Sequence, residues 1–290
     1  MAGYLVDCAV FPAATITSNA PWTGLDRIKT MPTVDAAASS RLGTAADPLM
    51  IDILIDQAEP LSYAGLCGIN LEQPARWRLQ AYDDDGGVLF DSRSTPGDAE
   101  TDLDVMPGLL PWEQRQFGAS NFLRGDLPRR VWIQGEPAIH CPFPRCTPAR
   151  LRWSLWGDAF AGDGLAATYV KIGYAPIGDG VEINRTVGSS DKIDPQATVT
   201  RIEGGGAAVD PGQWTQINTI NLALLEAAER DRLTLLLLSA GADLPVVWLP
   251  DVDDPAQNFM WGGVRRVGQG GDWRWGRPIY TDTVITLEKF

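Results

Sequence analysis

The chain has 290 residues, of which 44% are hydrophobic and 21% are charged, a composition typical of globular rather than disordered proteins. Its formal net charge of −13 disfavours a nucleic-acid-binding role, because an acidic surface repels the phosphate backbone. The strongest aliphatic run, residues 235–238, is too short to span a bilayer, and residues 1–8 lack the basic and apolar regions of a signal peptide. We therefore expect a soluble protein made in a cytosol.

The first half of the chain carries β-strand patterns. Residues 1–45 are predicted to form an extended lead-in with a first strand near residues 5–10. A β-branched run predicts a strand at 50–56, and strict alternation predicts a half-buried antiparallel strand at 75–82. The acidic, glycine-rich residues 83–87 predict a hairpin turn, with the next strand at 88–92.

Residues 93–148 are interrupted by prolines and are predicted to form a long inserted loop. Strands are expected at 150–156 and 167–174. Residues 221–230 have high helix propensity, and the leucines that follow either continue that helix to a cap at Gly241 or form a buried strand. Final strand patterns lie at 245–250 and 279–287.

These patterns predict an all-β protein with one or two short helices. The expected unit is a β-sandwich over residues 45–180, with the inserted loop within it. Residues 181–290 either complete the sandwich or form a small appended unit. The chain shows no repeat of fixed period, which disfavours a solenoid or a propeller.

Catalytic chemistry has little support in the sequence. His140 is the only histidine and no G-x-S-x-G motif occurs, so a Ser- or Cys-dependent hydrolase is disfavoured. Paired carboxylates with 11 tryptophans suit glycoside hydrolysis, but the acidic clusters at 83–85, 98–104 and 251–254 fall where turns are expected. We predict no catalytic residue, no cofactor and no metal; a structural Ca²⁺ in an acidic loop is the weaker alternative.

The state of the four cysteines, Cys8, Cys67, Cys141 and Cys146, is left open. Free buried thiols are favoured, because cytosolic synthesis disfavours a disulfide. A Cys141–Cys146 disulfide and a metal or iron–sulfur site that uses all four are the alternatives.

Two glycine-rich loops near the end of the chain carry aromatic and basic residues. Arginine with tryptophan is the combination enriched at interface hot spots, so we hypothesise that these loops dock on a neighbouring subunit. The alternative is that the tryptophans are buried anchors of their own domain. The candidate interface residues are Trp261, Trp273, Trp275, Arg265, Arg266 and Arg274.

A set of short segments follows in order along the chain: an early Ala-rich loop that ends near 42–43, then 51–56, 70–71, 75–78, 89–92, 169–178, 245–251, 261–264 and 285–288. Together they resemble a family of tail-tip and baseplate-associated proteins (distal or minor tail proteins) of long-tailed phages and prophages. They span most of the chain but are degenerate, and none is a catalytic signature. The resemblance implies a galactose-binding-like, discoidin-type jelly-roll.

From this resemblance we expect a non-enzymatic structural protein of the virion tail tip, assembled in the host cytoplasm. Its partners would be other tail proteins (tube, tape-measure-proximal or hub subunits) and further copies of itself. The first alternative is a carbohydrate-binding module for host-surface glycans, and the second is a polysaccharide-degrading tail enzyme.

Overall fold

The computed structural model describes most of the chain. The described residues are 2–8, 14–30, 36–44, 46–56, 59–71, 76–93, 103–104, 138–156, 169–186, 188–195, 198–201, 207–210, 214–241, 244–252, 258, 261–269 and 281–289. In the first half lie β1 (Ala2–Asp7), β2 (Thr15–Ser18), β3 (Trp22–Thr23), a 3₁₀ helix (Leu25–Lys29), β4 (Ala37–Ser39), β5 (Leu49–Leu54), β6 (Leu61–Cys67), β7 (Arg76–Tyr82), β8 (Val88–Asp91), β9 (Leu103–Asp104) and β10 (Ala138–Cys146). There follow β11 (Arg150–Trp156), β12 (Lys171–Ile172), β13 (Ile177–Asn184), β14 (Ser190–Pro195), β15 (Thr198–Arg201), β16 (Ala207–Asp210), β17 (Trp214–Leu225), helix α1 (Ala227–Ala240), β18 (Val246–Leu249), β19 (Gly263–Gln269) and β20 (Thr281–Lys289).

Two antiparallel sheets dominate the molecule. The larger has nine strands in the order β10-β6-β13-β1-β18-β19-β20-β17-β14. The smaller has the order β2-β5-β11-β7-β8, with β9 also paired to β7. Successive strands such as β5, β6 and β7 alternate between the sheets, as they do in a jelly-roll. The predicted all-β sandwich is therefore confirmed.

The central strands of the nine-stranded sheet are buried on both faces, whereas Ile193 on β14 and Val284 on β20 are exposed. One face packs on the smaller sheet, in a core cluster that contains Val6 from β1 and Trp153 from β11. The other face contains Leu5 and packs on α1 through Leu233 and Leu236. Neighbouring residues of β1 thus point into different cores, because successive side chains of a strand alternate between faces. The two large sheets and α1 therefore form three layers in the described part of the chain, in the order six-stranded sheet, nine-stranded sheet, helix.

The central predicted strands agree with the structure to within a residue or two. The strand predicted at 150–156 is β11, and that at 75–82 is β7. The predicted hairpin between β7 and β8 is also present: the Asp83 backbone N–H donates to the Gly87 carbonyl at 2.9 Å, and Gly86 has a φ of 83°.

Three expectations are corrected. The first strand, predicted near residues 5–10, is β1 at Ala2–Asp7 and lies between β13 and β18 in the nine-stranded sheet. The segment predicted as a loop up to residue 148 contains β10, which pairs with β6. Residues 221–225, predicted as helix, belong to β17, and the helix runs instead through the leucines at 235–238, whose conformation was left open.

Candidate functional site

The outward face of the six-stranded sheet carries a row of paired charges. Asp52, Arg152, Gln80 and Asp91 are aligned in register on β5, β11, β7 and β8. Their neighbours along each strand, such as Trp153, point the other way into the core. The alternation of these strands therefore gathers the polar side chains on a single plane.

Each carboxylate in this row is bound by an arginine fork. Arg152 Nε and Nη2 donate to the two oxygens of Asp52 at 2.7 and 2.8 Å. Arg78 binds Asp91 in the same two-bond manner, with Nε 2.9 Å from Oδ1. Gln80 Nε2 adds a bond to Asp91 at 3.2 Å. Fork-to-fork pairs of this kind fix geometry as well as charge.

A second row lies beside the first. The guanidinium carbon of Arg150 stands 4.3 Å from the centre of the Tyr82 ring, and the Tyr82 hydroxyl donates to Gln80 Oε1 at 3.0 Å. Exposed Leu54 and Val88 flank this pair in register on β5 and β8. We call the combined set the ladder face. It consists of Asp52, Leu54, Arg78, Gln80, Tyr82, Val88, Asp91, Arg150 and Arg152.

The ladder face has a local charge opposite to that of the chain. It holds three arginines and two aspartates on a protein with a formal net charge of −13. Burial raises the pKa of Asp91, but hydrogen bonds from Arg78 and from the Arg93 backbone outweigh it, so the pKa lies below its ordinary value. The hydrogen bond to Asp52 raises the pKa of Arg152. Each aspartate of the ladder face is paired with an arginine. Such paired charges suit ligand binding better than proton transfer.

The sequence reasoning did not single out the ladder face. Its signal was nevertheless present: the polar positions of the strand at 75–82 alternate with core positions, and the strand at 150–156 has the same pattern. What the sequence alone did not supply was the strand order, in which β8 pairs with β7, β7 with β11 and β11 with β5. This order brings Asp52 and Asp91 to these arginines.

The predicted interface residues do not all lie at a surface. Arg265 is 0% exposed, so its assignment as an interface anchor is corrected. Arg266, next to it, is exposed and donates to Glu288 Oε2 at 2.7 Å. Trp261 is half-buried. Trp273, Arg274 and Trp275 lie outside the described residues, so their proposed docking stays a prediction.

Arg265 is the centre of a buried polar network on the face of the nine-stranded sheet that packs on α1. Its Nε donates to Asn218 Oδ1 at 3.0 Å, and its Nη2 donates to Gln216 Oε1 at 2.9 Å. Nη2 also binds the carbonyl oxygens of Trp261 and Gly262 at 3.0 and 2.7 Å. The guanidinium thus joins β19 to β17 and holds the turn that leads into β19. This is a structural role, since a buried charge requires such partners.

His140 packs against a buried tyrosine. Its Nδ1 lies 2.6 Å from the Tyr63 hydroxyl oxygen. Burial, with a smaller contribution from the positive charge of Arg265, lowers the pKa of His140 to about 4. Burial also raises the pKa of Tyr63 well above its ordinary value. Both groups are therefore neutral at pH 7.

The depressed pKa of His140 predicts a pH-dependent stability. Between pH 6.5 and about 4 the unfolded chain binds a proton at this residue and the folded chain does not, so stability falls as the pH falls through that window. The expected loss is about 2–3 kcal/mol by pH 4. Urea unfolding at pH 7 and pH 4.5 measures it, and His140→Gln should reduce the difference because this is the sole histidine. An equal pH dependence in the variant would contradict the assignment.

The four cysteines all lie in described segments and form no disulfide. Cys8, Cys67 and Cys141 are buried, and Cys146 is half-buried. Burial raises the pKa of the Cys141 thiol to about 12, so it is not a reactive thiolate at neutral pH. Within the described ranges, no group of three or more His, Cys, Asp or Glu side chains is placed to hold a metal ion.

The acidic clusters have structural explanations where they are described. Residues 83–85 form the β7–β8 turn, as predicted. Residues 98–102, 253 and 254 lie outside the described segments. Among the helices of the described part, none is long and apolar enough to cross a membrane.

Comparison with known proteins gives no family. No protein family description and no curated protein matches the sequence. A mutant of the lectin-binding domain of lectinolysin, complexed with Lewis b, is 6% identical; the match covers 59% of this chain and 95% of that chain, with a TM-score of 0.34. A mutant Ruminococcus gnavus GH29 fucosidase in complex with fucose is 10% identical; the match covers 60% of this chain and 26% of that chain, with a TM-score of 0.33. At these scores neither structure assigns a ligand.

Proposed function

We propose that this chain is a non-catalytic structural and binding protein of a phage tail tip, and that the ladder face is the surface through which it contacts another component. The tail role is supported by the sequence segments described above. The binding role is supported by the ladder face, and in particular by the exposed apolar side chains that flank a row of preformed arginine forks.

The composition of the ladder face supports contact with a protein. Arginine and tyrosine are enriched at interface hot spots, and apolar residues beside them supply desolvated area. Arg152 and Arg78 are already held by their carboxylates, so little conformational entropy is lost when a partner binds. A sheet face with preformed arginine forks and excess positive charge fits an acidic protein surface.

A glycan is the second candidate for this surface. The observation that favours it is the cluster of planar amide, carboxylate and guanidinium groups around the Tyr82 ring. Such groups form paired hydrogen bonds with neighbouring hydroxyls. A glycosidase is less well supported, because a catalytic acid needs a raised pKa and the pKa of Asp91 is lowered.

The test is a ladder variant that combines Tyr82→Ala with Arg152→Gln. The isolated variant should remain folded, because Tyr82, Arg152 and Asp52 are half-buried and such substitutions cost about 1–3 kcal/mol, less than the stability of a typical domain. Its incorporation into tail particles should fall by about tenfold or more, since loss of a hot spot costs about 2 kcal/mol. Asp26→Asn, which removes an exposed ion pair in the 3₁₀ helix outside the ladder face, is the matched control and should incorporate normally.

Two further measurements decide between the candidates. The first is a glycan array. If the unmodified protein binds a glycan and the ladder variant does not, the ligand of the ladder face is a carbohydrate and not a protein. Release of reducing sugar from a polysaccharide by the unmodified protein would overturn the non-catalytic assignment. If the folded ladder variant is incorporated normally into tail particles, the ladder face is not the surface that binds the tail.

A further inference from the structure

Helix α1 exposes two large apolar side chains. Leu233, Leu236 and Ala240 face the nine-stranded sheet and are buried, whereas Leu235 and Leu238 are 68% and 73% exposed. The four consecutive leucines at 235–238 point in different directions around the helix axis. Some of them therefore face the sheet, and others face the solvent. Exposed leucines three residues apart on a helix form a contiguous apolar surface.

One arginine lies beside this apolar surface, and a second arginine binds the same carboxylate as the first. Arg232 is one turn before Leu235, and its Nη2 lies 3.1 Å from Asp179 Oδ2. Arg145, from the end of β10, places its Nη2 3.0 Å from the same oxygen. Two guanidinium groups share one carboxylate, so this trio has a net positive charge. The exposed Asp231, also one turn before Leu235, is paired with Arg230. We call Leu235, Leu238, Arg232 and Arg145 the helix patch.

The β7–β8 hairpin has the complementary composition. Asp83, Asp84 and Asp85 form its turn, and Val88 and Leu89 follow directly with 55% and 45% exposure. A register shift in the pairing of β7 with β8 leaves both apolar side chains outside the core. The turn is fixed in shape, because the Gly87 N–H donates to Asp83 Oδ1 at 2.5 Å.

The two surfaces lie on opposite sides of one molecule. The hairpin belongs to the six-stranded sheet, while α1 covers the far face of the nine-stranded sheet. A hairpin therefore cannot reach the helix patch of its own chain. Any contact between them joins different copies.

We propose that the β7–β8 hairpin of one copy docks on the helix patch of a second copy. Val88 and Leu89 pack on Leu235 and Leu238, and the aspartates of the turn approach Arg232 and Arg145. The contact is head-to-tail, because each copy offers a different surface to each neighbour. Such contacts build a ring if the rotation closes and a filament if it does not. The docking hairpin shares Val88 with the ladder face but none of the charged residues of that face, and the inference does not depend on the identity of the ladder-face ligand.

The test uses two variants that each destroy one surface. The helix variant combines Leu235→Asp with Leu238→Asp, and the hairpin variant combines Asp84→Lys with Asp85→Lys. All four side chains are exposed, so circular dichroism and thermal melting should match the unmodified protein. Sedimentation velocity over a range of concentrations should show self-association of the unmodified protein, weakened about tenfold or more in each variant.

Mixing the variants provides the decisive readout. The helix variant keeps an intact hairpin and the hairpin variant keeps an intact helix patch, so one good contact can form and a 1:1 dimer that grows no further is expected. Ile193→Asp, at another exposed apolar position on β14, is the control and should associate normally. An unmodified protein that stays monomeric, variants that associate like it, or a mixture without the 1:1 dimer would each overturn the proposal.

Discussion

Arg265→Ala is expected to lower the free energy of unfolding by about 3–5 kcal/mol. The substitution removes a fully buried guanidinium and leaves its partners, Asn218, Gln216 and the carbonyls of the turn before β19, without their donor. Each unsatisfied buried acceptor costs about 1–3 kcal/mol, and an apolar cavity adds to that cost. Urea unfolding at pH 7 measures the change.

Arg266→Ala is the matched control for that measurement. Arg266 is the next residue along the same strand, but it is exposed and its ion pair with Glu288 lies at the surface. Its removal should cost about 1 kcal/mol or less. Similar losses in both variants would show that the polar network around Arg265 contributes little to stability.

Trp153→Ala is expected to destabilise the protein by about 3–5 kcal/mol, as large aromatic deletions in a core do. Trp153 is completely buried between the two sheets, and its ring centre lies 5.5 Å from that of Trp77. Removing the indole leaves a cavity lined by Trp77 and by aliphatic side chains of the core between the two sheets. Denaturant unfolding followed by far-UV circular dichroism gives the free energy.

The comparison variant is Trp156→Ala, three residues further along β11. Trp156 is half-buried at the end of that strand and points to the opposite face, so its loss should cost about 1–2 kcal/mol. If Trp156→Ala proved the more damaging substitution, the placement of the core between the sheets would be wrong.

The strands that could be predicted share one property: each has a face in the core and a face outside it. In β7, Trp77, Leu79 and Ala81 alternate with polar residues, and the burial of the strand follows the same alternation. Local sequence and global packing therefore favour the same structure, and the prediction needs no knowledge of the partner strand.

The strand β10 could not be predicted because it contains Pro142 and Pro144. Proline cannot donate a backbone hydrogen bond and normally argues against a strand. The topology resolves this conflict: β10 is the edge strand of the nine-stranded sheet, where one side of the backbone needs no partner strand, and its pairing with β6 shifts after Pro142.

The helix was predicted a few residues too early for a related reason. Leu222 and Leu225 have helical spacing, but β17 pairs with β20 through Leu222 and ends at Leu225. The helix begins directly afterwards with a capping box between Glu226 and Glu229. Burial of Arg265 was not predictable, because its side-chain partners on β17 lie almost fifty residues earlier in the chain.

The position of β1 has a consequence for how the protein is made. This strand lies between β13 and β18, whose residues are translated long after it. At about 5–20 residues per second, roughly 12–48 s separate the synthesis of β1 from that of β18. During that interval Leu5 and Val6 leave the ribosome without the strands that later bury them. The centre of the larger sheet is therefore completed only after β18 has left the ribosome, and chaperone capture of the nascent chain should concentrate in that interval.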